Sequence, residues 1–260
     1  MNEYEQFAKN IARQAGKIMF DNFKMGMDKK WKSDNSPVTE ADLKINKLLI
    51  DEVKKIFPEH SVLGEEESNF VGDRKMVWVC DPLDGTLPFS HGVPIFTFSL
   101  ALVDDGVPIL GVIYDPILDR MFYASKGQGA YLNGDKISVN SLSSLANGVV
   151  SIDASGEKVG VDFFKTLKGL FDNKCKVFKF ISVIYGAMLI SAGEFIGTIF
   201  LKDTAHDVAA IKILVEEAGG KVTDLNGNEQ RYDKKCNGII ASNGLVHDEL
   251  VKIVKNAKIN

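Results

Sequence analysis

The stretch Met76-Val-Trp-Val-Cys-Asp-Pro-Leu-Asp-Gly-Thr86 runs from five apolar residues directly into a turn that carries two carboxylates. The apolar part predicts a buried strand. The proline fixes one backbone dihedral angle and lacks an N–H group, so we expect the chain to leave the strand in a defined turn. Asp81 and Asp84 can then face one point. Gly85 allows the backbone to approach a ligand closely, and Thr86 can begin a helix whose free amides bind phosphate.

Further acidic residues stand where strands are expected to end or helices to begin. They are Glu65 and Glu66, which follow Gly64, and Asp207. With the Leu83 carbonyl they would form an oxygen-only ligand set, which suits a hard cation such as Mg²⁺ better than zinc. Two like charges about 4 Å apart repel by roughly 4 kcal/mol at an effective dielectric of about 20, so clustered carboxylates must protonate unless divalent cations compensate them. Taken singly, the glutamates and Asp207 are equally compatible with solvated turns.

The composition is that of an ordinary globular protein, with 260 residues, 45% hydrophobic and 25% charged. The net charge of -4 provides no basic field that would gather nucleic acid. The three cysteines show neither metal-ligand spacing nor a disulfide framework, which predicts reduced thiols in a cytoplasmic protein. The start does not resemble a signal peptide, and no apolar run reaches about 18 residues, so we expect no membrane partner.

Apolar residues at steps of three and four predict two amphipathic helices before the opening stretch, over 7–23 and 39–56. After it, short apolar segments joined by turn residues predict an antiparallel meander, and the second half alternates strands with helices. The predicted strands are 95–103, 107–114, 121–124, 130–132, 149–152, 176–180, 195–201, 221–223 and 238–241, and the later helices are 161–170, 183–192, 207–218 and 246–255. This order indicates an α+β protein of stacked layers. We expect one domain over residues 1–260, with a soft division into two αβ halves near 140–147.

Four segments together resemble the inositol monophosphatase family. They are Pro37-Val-Thr-Glu-Ala-Asp42, Gly64-Glu-Glu66, Trp78-Val-Cys-Asp-Pro-Leu-Asp-Gly-Thr86, and Asp207-Val-Ala-Ala210 with Glu217-Ala-Gly-Gly220. Their order and spacing hold over nearly the whole chain. The resemblance implies a five-layer αβαβα sandwich of the sugar-phosphatase type, usually assembled as a homodimer. It also implies two or three Mg²⁺ ions per chain, lithium sensitivity and hydrolysis of a small phosphorylated substrate.

The same resemblance implies which residues hold the metal ions. Glu65, Asp81 and the Leu83 carbonyl would hold the first ion, and Asp81, Asp84 and Asp207 would hold the second. One ion would activate the attacking water, and the other would stabilise the leaving oxygen.

The catalytic residues implied by the resemblance are Thr86, Asp42 and Glu65. Thr86, hydrogen-bonded to Asp42, would orient and deprotonate the attacking water, and the amides of Gly85 and Thr86 would hold the phosphate. The substrate-binding set implied in this way is Leu83, Asp84, Gly85, Thr86 and Asp207. The pair Thr39 and Asp42 also matches a capping box at a helix start, and both roles can hold at once.

The resemblance is weaker in the part that would contact the substrate alcohol. Phe200 stands seven residues before Asp207, where related enzymes have a glutamate that binds substrate hydroxyls, and 181–183 replace a Gly-Ser-Ala segment. A phenyl ring cannot accept a hydrogen bond from a hydroxyl, so discrimination for a polyol should fall. His206 stands where the family usually has tryptophan, and we expect it to fill that space. Lys32 stands where the family has a loop lysine, and we expect it to be solvated.

The sequence therefore predicts Mg²⁺-dependent hydrolysis of a small phosphate monoester. Histidinol phosphate, fructose 1,6-bisphosphate and adenosine 3',5'-bisphosphate stay open as substrates beside an inositol phosphate. A non-catalytic phosphate-binding regulatory protein is the alternative from another class. Two further acidic motifs, Asp115-Pro-Ile-Leu-Asp119 and Asp224-Leu-Asn-Gly-Asn228, are predicted to be turns rather than metal sites.

Overall fold

The structure is a computed structural model and describes residues 3–33, 35–73, 75–154 and 160–259. Within these ranges the helices are α1 Glu3–Asn22, α2 Glu40–Ile56, α3 Thr86–Ser90, α4 Phe163–Asp172, α5 Val183–Ser191, α6 Ala209–Glu217 and α7 His247–Asn256. The strands are β1 Lys30–Trp31, β2 Pro37–Val38, β3 Ser61–Gly64, β4 Met76–Asp84, β5 Thr97–Asp104, β6 Val107–Asp115, β7 Arg120–Ser125, β8 Gly129–Leu132, β9 Asp135–Ile137, β10 Val149–Asp153, β11 Lys176–Phe178, β12 Gly197–Phe200, β13 Lys221–Thr223 and β14 Ile239–Ser242.

Two large sheets organise the molecule. The first has seven strands in the order β3-β4-β5-β6-β7-β8-β9 and is antiparallel apart from the β3–β4 pair. The second has five strands in the order β11-β10-β12-β14-β13, with β10 parallel to both of its neighbours. The short strands β1 and β2 pair with each other.

Helices cover both faces of each sheet. The helices α1 and α2 pack on one face of the seven-stranded sheet, α5 and α6 lie between the two sheets, and α4 and α7 cover the far face of the five-stranded sheet. Side chains of a strand alternate between the faces. In β4, Trp78 and Cys80 therefore pack with α1 and α2, whereas Val77 and Val79 pack with α5 and α6. The predicted five-layer αβαβα sandwich is confirmed.

The strand β4 is longer than the sequence suggested. Asp81 pairs with Ser99 and Asp84 pairs with Thr97, so the register of the ladder shifts between the two aspartates. The expectation that the chain leaves the strand at the proline is therefore wrong, because the motif forms a bulge within β4. Pro82 has no N–H group to give to the ladder, and a bulge lets the chain leave it unpaired. A bulge also re-aims side chains, here those of both aspartates.

Several short elements differ from the sequence prediction. The strands β3 and β9 were not predicted, and neither were the short paired strands β1 and β2. The helix expected from Asp207 begins at Ala209, and β11 ends at Phe178 rather than at 180. Strands of two to four residues are too short to show an alternation of apolar and polar side chains. Whether they form depends on pairing with other parts of the chain. Among the described helices, none has the length and apolar character needed to cross a lipid bilayer.

Candidate active site

A cavity of about 320 Å³ opens where the ends of β4, β10 and β12 meet the starts of α3 and α5. Its lining is rich in acidic side chains from distant parts of the sequence. They are Glu65 after β3, Asp81 and Asp84 in β4, Asp153 at the end of β10, and Asp207 before α6. Converging polar groups in a cleft are typical of a ligand site.

Asp81, Asp84 and Asp207, which we call the triad, lie close together in the wall of this cavity. One carboxylate oxygen from each of the three lies within 4.8 Å of the other two. All three residues are buried, with at most 8% of each exposed. Burial, reinforced by the neighbouring negative charges, raises the pKa of each carboxyl above its ordinary value. Three buried carboxylates at this spacing fit a hard divalent cation, because the cation removes the charge that burial and repulsion disfavour.

The crowding of these carboxyls predicts a pH-dependent stability of the metal-free protein. With metal removed by a chelator, we expect the free energy of unfolding to fall between a lower pH and an upper pH that both lie above the ordinary pKa of an aspartate. The folded-state pKa values are raised, so the folded chain keeps protons that the unfolded chain has already released, and stability is lost as those protons leave. Each such proton changes the free energy by roughly 1.4 kcal/mol per pH unit, which is several degrees in Tm.

Thermal melts at the two pH values, with chelator and with saturating Mg²⁺, measure this effect. Mg²⁺ should raise the Tm more at the higher pH and remove most of the dependence of Tm on pH, because it replaces the protons in compensating the charge. The variant D84N should show a shallower slope without metal than the unmodified chain. A metal-free Tm that is equal or higher at the upper pH would contradict the raised pKa values.

Hydroxyl groups hold two of the three carboxylates in place. Ser182 Oγ donates a hydrogen bond to Asp84 Oδ2, and Thr204 Oγ1 donates one to Asp207 Oδ2. Ser182 also caps α5, because its Oγ accepts a hydrogen bond from the N–H of Tyr185 at 3.3 Å. The sequence analysis did not identify the roles of these two hydroxyls. Serine and threonine are common at helix starts and in turns, and their spacing along the chain carries no signal for a partner in another layer.

The backbone of the motif is fixed by local contacts. The Leu83 N–H group donates to Asp81 Oδ1 at 2.9 Å, and Thr86 Oγ1 donates to the Leu83 carbonyl oxygen at the same distance. Gly85 has φ 86°, and a Cβ at this position would lie 2.6 Å from the carbonyl oxygen of Ile95. Only glycine fits there, because any side chain would meet both the backbone strain and this oxygen.

Thr86 and Asp42, which lie 44 residues apart in the sequence, meet at the edge of the cavity. The single hydroxyl proton of Thr86 can be donated either to the Leu83 carbonyl oxygen or to Asp42 Oδ1, which lies 3.1 Å from Oγ1. Asp42 Oδ2 accepts a hydrogen bond from the N–H of Thr39 at 2.8 Å, so the capping contact and the contact to Thr86 coexist. Asp42 is fully buried. Burial raises its pKa to about 7, although the hydrogen bonds from Thr39 oppose the shift.

Glu65 lies beside the triad and is bridged to Glu66 by a lysine. Lys32 Nζ lies 2.9 Å from Glu65 Oε1 and 2.5 Å from Glu66 Oε1. The expectation that Lys32 is solvated is wrong, because only 24% of its side chain is exposed and it ends between two carboxylates. Burial raises the pKa of Glu65, but the neighbouring cationic side chains, Lys32 among them, outweigh burial and hold the pKa below its ordinary value. Among the described residues, the close group of carboxylates does not include Glu65.

The strands β10 and β12 also contribute residues to the wall of the cavity. Phe200 ends β12, lines the cavity and belongs to the core between the two sheets. Asp153 ends β10 and also lines the cavity. The sequence analysis missed Asp153, although a carboxylate at the end of a predicted buried strand is the signal that identified Asp81. His206 fills the space beside Asp207, with Nε2 3.5 Å from Asp207 Oδ2.

The two other acidic motifs lie outside the cavity and form turns. Asp115 ends β6, accepts hydrogen bonds from backbone N–H groups in the turn to β7, and pairs with Arg120 Nη2 at 2.7 Å. Asp224 follows β13 and accepts the N–H groups of Asn226 and Asn228, each at 2.8 Å. Both carboxylates thus serve the local backbone, as predicted.

Comparisons with known proteins found similar sequences and a similar fold. A model of the inositol monophosphatase family matches residues 1–258. The chain is 37% identical over 218 residues to a fructose-1,6-bisphosphatase/inositol-1-monophosphatase of Thermotoga maritima, which covers 84% of this chain and 82% of that protein. It is 29% identical to a histidinol-phosphatase of Chlorobaculum parvum over 97% of either chain. A solved structure of a Thermotoga maritima IMPase has a TM-score of 0.88 at 32% identity and covers 98% of both chains.

Proposed function

The chain belongs to the inositol monophosphatase family of phosphoric monoester hydrolases, and we propose that it cleaves a small phosphate monoester with two Mg²⁺ ions. The observation that carries the proposal is the buried triad, whose carboxylate oxygens lie within 4.8 Å of one another. Such a group is stable as carboxylates only beside a cation, and its oxygen-only composition favours Mg²⁺.

The residues present fit two metal positions that share Asp81. Asp81, Asp84 and Asp207 would hold one ion, and Asp81, Glu65 and the Leu83 carbonyl would hold the other. When bound, the ions would supply positive charge that makes water a better nucleophile and stabilises negative charge on the leaving oxygen. The ion pair between Lys32 and Glu65 would have to open or rearrange for Glu65 to become a ligand.

Thr86 and Asp42 would together move the proton of the attacking water. The hydroxyl of Thr86 can pass its proton to Asp42 Oδ1, 3.1 Å away, while it takes one from water. A carboxyl whose pKa is about 7 is suited to hold that proton near neutral pH. The backbone amides of Gly85 and Thr86 would hold the phosphate, since they lie in the turn that opens α3.

The alcohol released with phosphate would be a small polyol or sugar. Relatives named for an inositol phosphate, fructose 1,6-bisphosphate and histidinol phosphate match more than four fifths of this chain, so these substrates belong in the first test, together with adenosine 3',5'-bisphosphate. A non-catalytic, phosphate-binding regulatory protein is the second candidate. No feature of the cavity favours it, because every residue assigned to catalysis and metal binding is present.

Release of inorganic phosphate from a panel of these esters, measured with and without Mg²⁺, tests the proposed function. We expect turnover of at least one ester with Mg²⁺ and none after chelation. Binding of phosphate without turnover of any ester would favour the regulatory alternative instead.

A homodimer, cytoplasmic location and lithium sensitivity are further parts of this proposal and rest mainly on family membership. Exposed aromatic side chains on α4 and on the edge strand β11 support an association between copies, namely Phe164, Phe171 and Phe178. The three cysteines are free and buried, as expected in a reducing compartment. Light scattering of the purified protein would measure the number of chains.

Both αβ halves contribute to the core between the sheets, which supports a single domain over 1–260.

A further inference from the structure

Asp153 has an unusual environment for an aspartate at the end of a strand. It lies in the wall of the cavity, and only 7% of the residue is exposed. Its Oδ2 atom has no hydrogen-bond partner among the described residues. A buried acceptor left without a partner costs roughly 1–3 kcal/mol, and more when it is charged, so such a group in a cavity wall points to a ligand that completes it.

A cationic side chain and two N–H groups around Asp153 compensate part of its charge. Lys179 Nζ lies 3.8 Å from Oδ1, which is an ion pair longer than a hydrogen bond. The N–H groups of Ala154 and Ser182 also interact with the carboxylate. The carboxylate torsion of aspartate is soft, so Oδ2 can turn toward the cavity without leaving a favoured side-chain conformation.

The position of Asp153 relative to Phe200 shows which part of a substrate it would meet. The strands β10 and β12 are parallel, and Asp153 is the direct partner of Phe200 in their register. Directly paired residues of neighbouring strands project to the same face of a sheet, about 5 Å apart. The acceptor that Phe200 cannot provide is therefore available from the adjacent strand, on the same wall of the cavity.

A role for Asp153 as a metal ligand fits the geometry less well. Among the described residues, the group of close carboxylates contains Asp81, Asp84 and Asp207 but not Asp153. A carboxylate repels a phosphate or carboxylate group of a ligand, and Lys179 beside it disfavours an ammonium group. The remaining partner is a neutral donor, and a hydroxyl is the donor that a polyol or sugar presents.

We propose that Asp153 determines specificity at this site and that its carboxylate accepts a hydrogen bond from a hydroxyl of a neutral polyol or sugar portion of the substrate. This inference rests on the proposed phosphatase function and adds to it the residue that would recognise a hydroxyl of the substrate. It also revises the sequence-based expectation that discrimination for a polyol falls with Phe200 at its position, because the neighbouring strand would provide the hydrogen-bond acceptor instead.

Two substrates and two variants test this role. Inositol 1-phosphate carries hydroxyls beside the phosphate ester, whereas phenyl phosphate carries none. D153A should lower kcat/KM for inositol 1-phosphate by about tenfold, since it removes one hydrogen bond to a charged group, and should leave phenyl phosphate unchanged. D153N keeps one acceptor oxygen without the charge, so its kcat/KM for inositol 1-phosphate should lie between those of D153A and the unmodified chain. D172A, which changes an exposed aspartate of α4, is the control and should behave as the unmodified chain.

The Mg²⁺ concentration at half-maximal rate should be the same in D153A and the unmodified chain, and melting curves should show both folded. Three results in D153A would each overturn the inference: an equal loss of kcat/KM on both substrates, a shifted Mg²⁺ concentration at half-maximal rate, or an unchanged kcat/KM on inositol 1-phosphate. If the unmodified chain hydrolyses neither these two esters nor any ester of the panel, the proposed function fails. Calorimetric binding of inositol 1-phosphate in the presence of Mg²⁺ then decides: binding weakened about tenfold in D153A supports the role, and equal binding overturns it.

Discussion

Replacing Asp84 with asparagine is expected to lower Mg²⁺-dependent turnover on the order of a thousandfold while the chain stays folded. Asp84 is a buried member of the triad, and its charge would contribute to holding a cation there. Asparagine has nearly the same shape, and its oxygen can still accept the hydrogen bond from Ser182. The variant therefore removes one charge and little else. Asp207→Asn should have an effect of the same order for the same reason.

Melting temperature distinguishes the loss of metal from the loss of folding in D84N. Without metal, the variant should melt at a higher temperature than the unmodified chain near pH 8, because one of three crowded negative charges is gone. With Mg²⁺, it should gain less stability than the unmodified chain.

Asp224→Asn is the matched control for this experiment. Asp224 is also buried and also accepts backbone hydrogen bonds, but it lies in the turn after β13, outside the cavity. We expect near-normal turnover from D224N. Near-normal turnover from folded D84N would show that the triad does not hold the metal.

Thr86→Ala should lower kcat by about a hundredfold and leave KM for the substrate nearly unchanged. The hydroxyl links the water side of the cavity to Asp42, and a group that moves a proton acts in the transition state rather than in ground-state binding. Alanine leaves the buried Asp42 carboxyl with its contacts to Thr39 but without this link.

Thr86→Ser is the control, because serine keeps the hydroxyl and should recover most of the rate. Steady-state kinetics on the best substrate of the panel provide both constants. A raised KM with unchanged kcat would instead assign the hydroxyl to phosphate binding and leave the proton without a carrier.

The local chemistry of the site could be predicted from the sequence because it is encoded in neighbouring residues. A proline between two aspartates, a glycine and a threonine at a helix start act over a few bonds, so their order limits the backbone to few conformations, although pairing of β4 with β5 produced a bulge in place of the expected turn. The same holds for Thr39 and Asp42, which form one turn of helix. Apolar periodicity likewise predicted the longer helices and strands, since alternation between faces is a property of each element alone.

The convergence of the site was decided only by the tertiary structure. Ser182 and Asp84 are 98 residues apart and meet because α5 begins against the bulge of β4. Asp153 stands beside Phe200 because β10 and β12 pair in one register, and Lys32 reaches Glu65 and Glu66 from the short β1–β2 hairpin. Such contacts depend on how layers stack and strands pair, and those arrangements are set by burial of apolar surface across the whole chain rather than by the residues that meet. The sequence thus determined which chemical groups this protein has and how each local segment presents them, whereas the packing of the five layers determined which of those groups share a cavity.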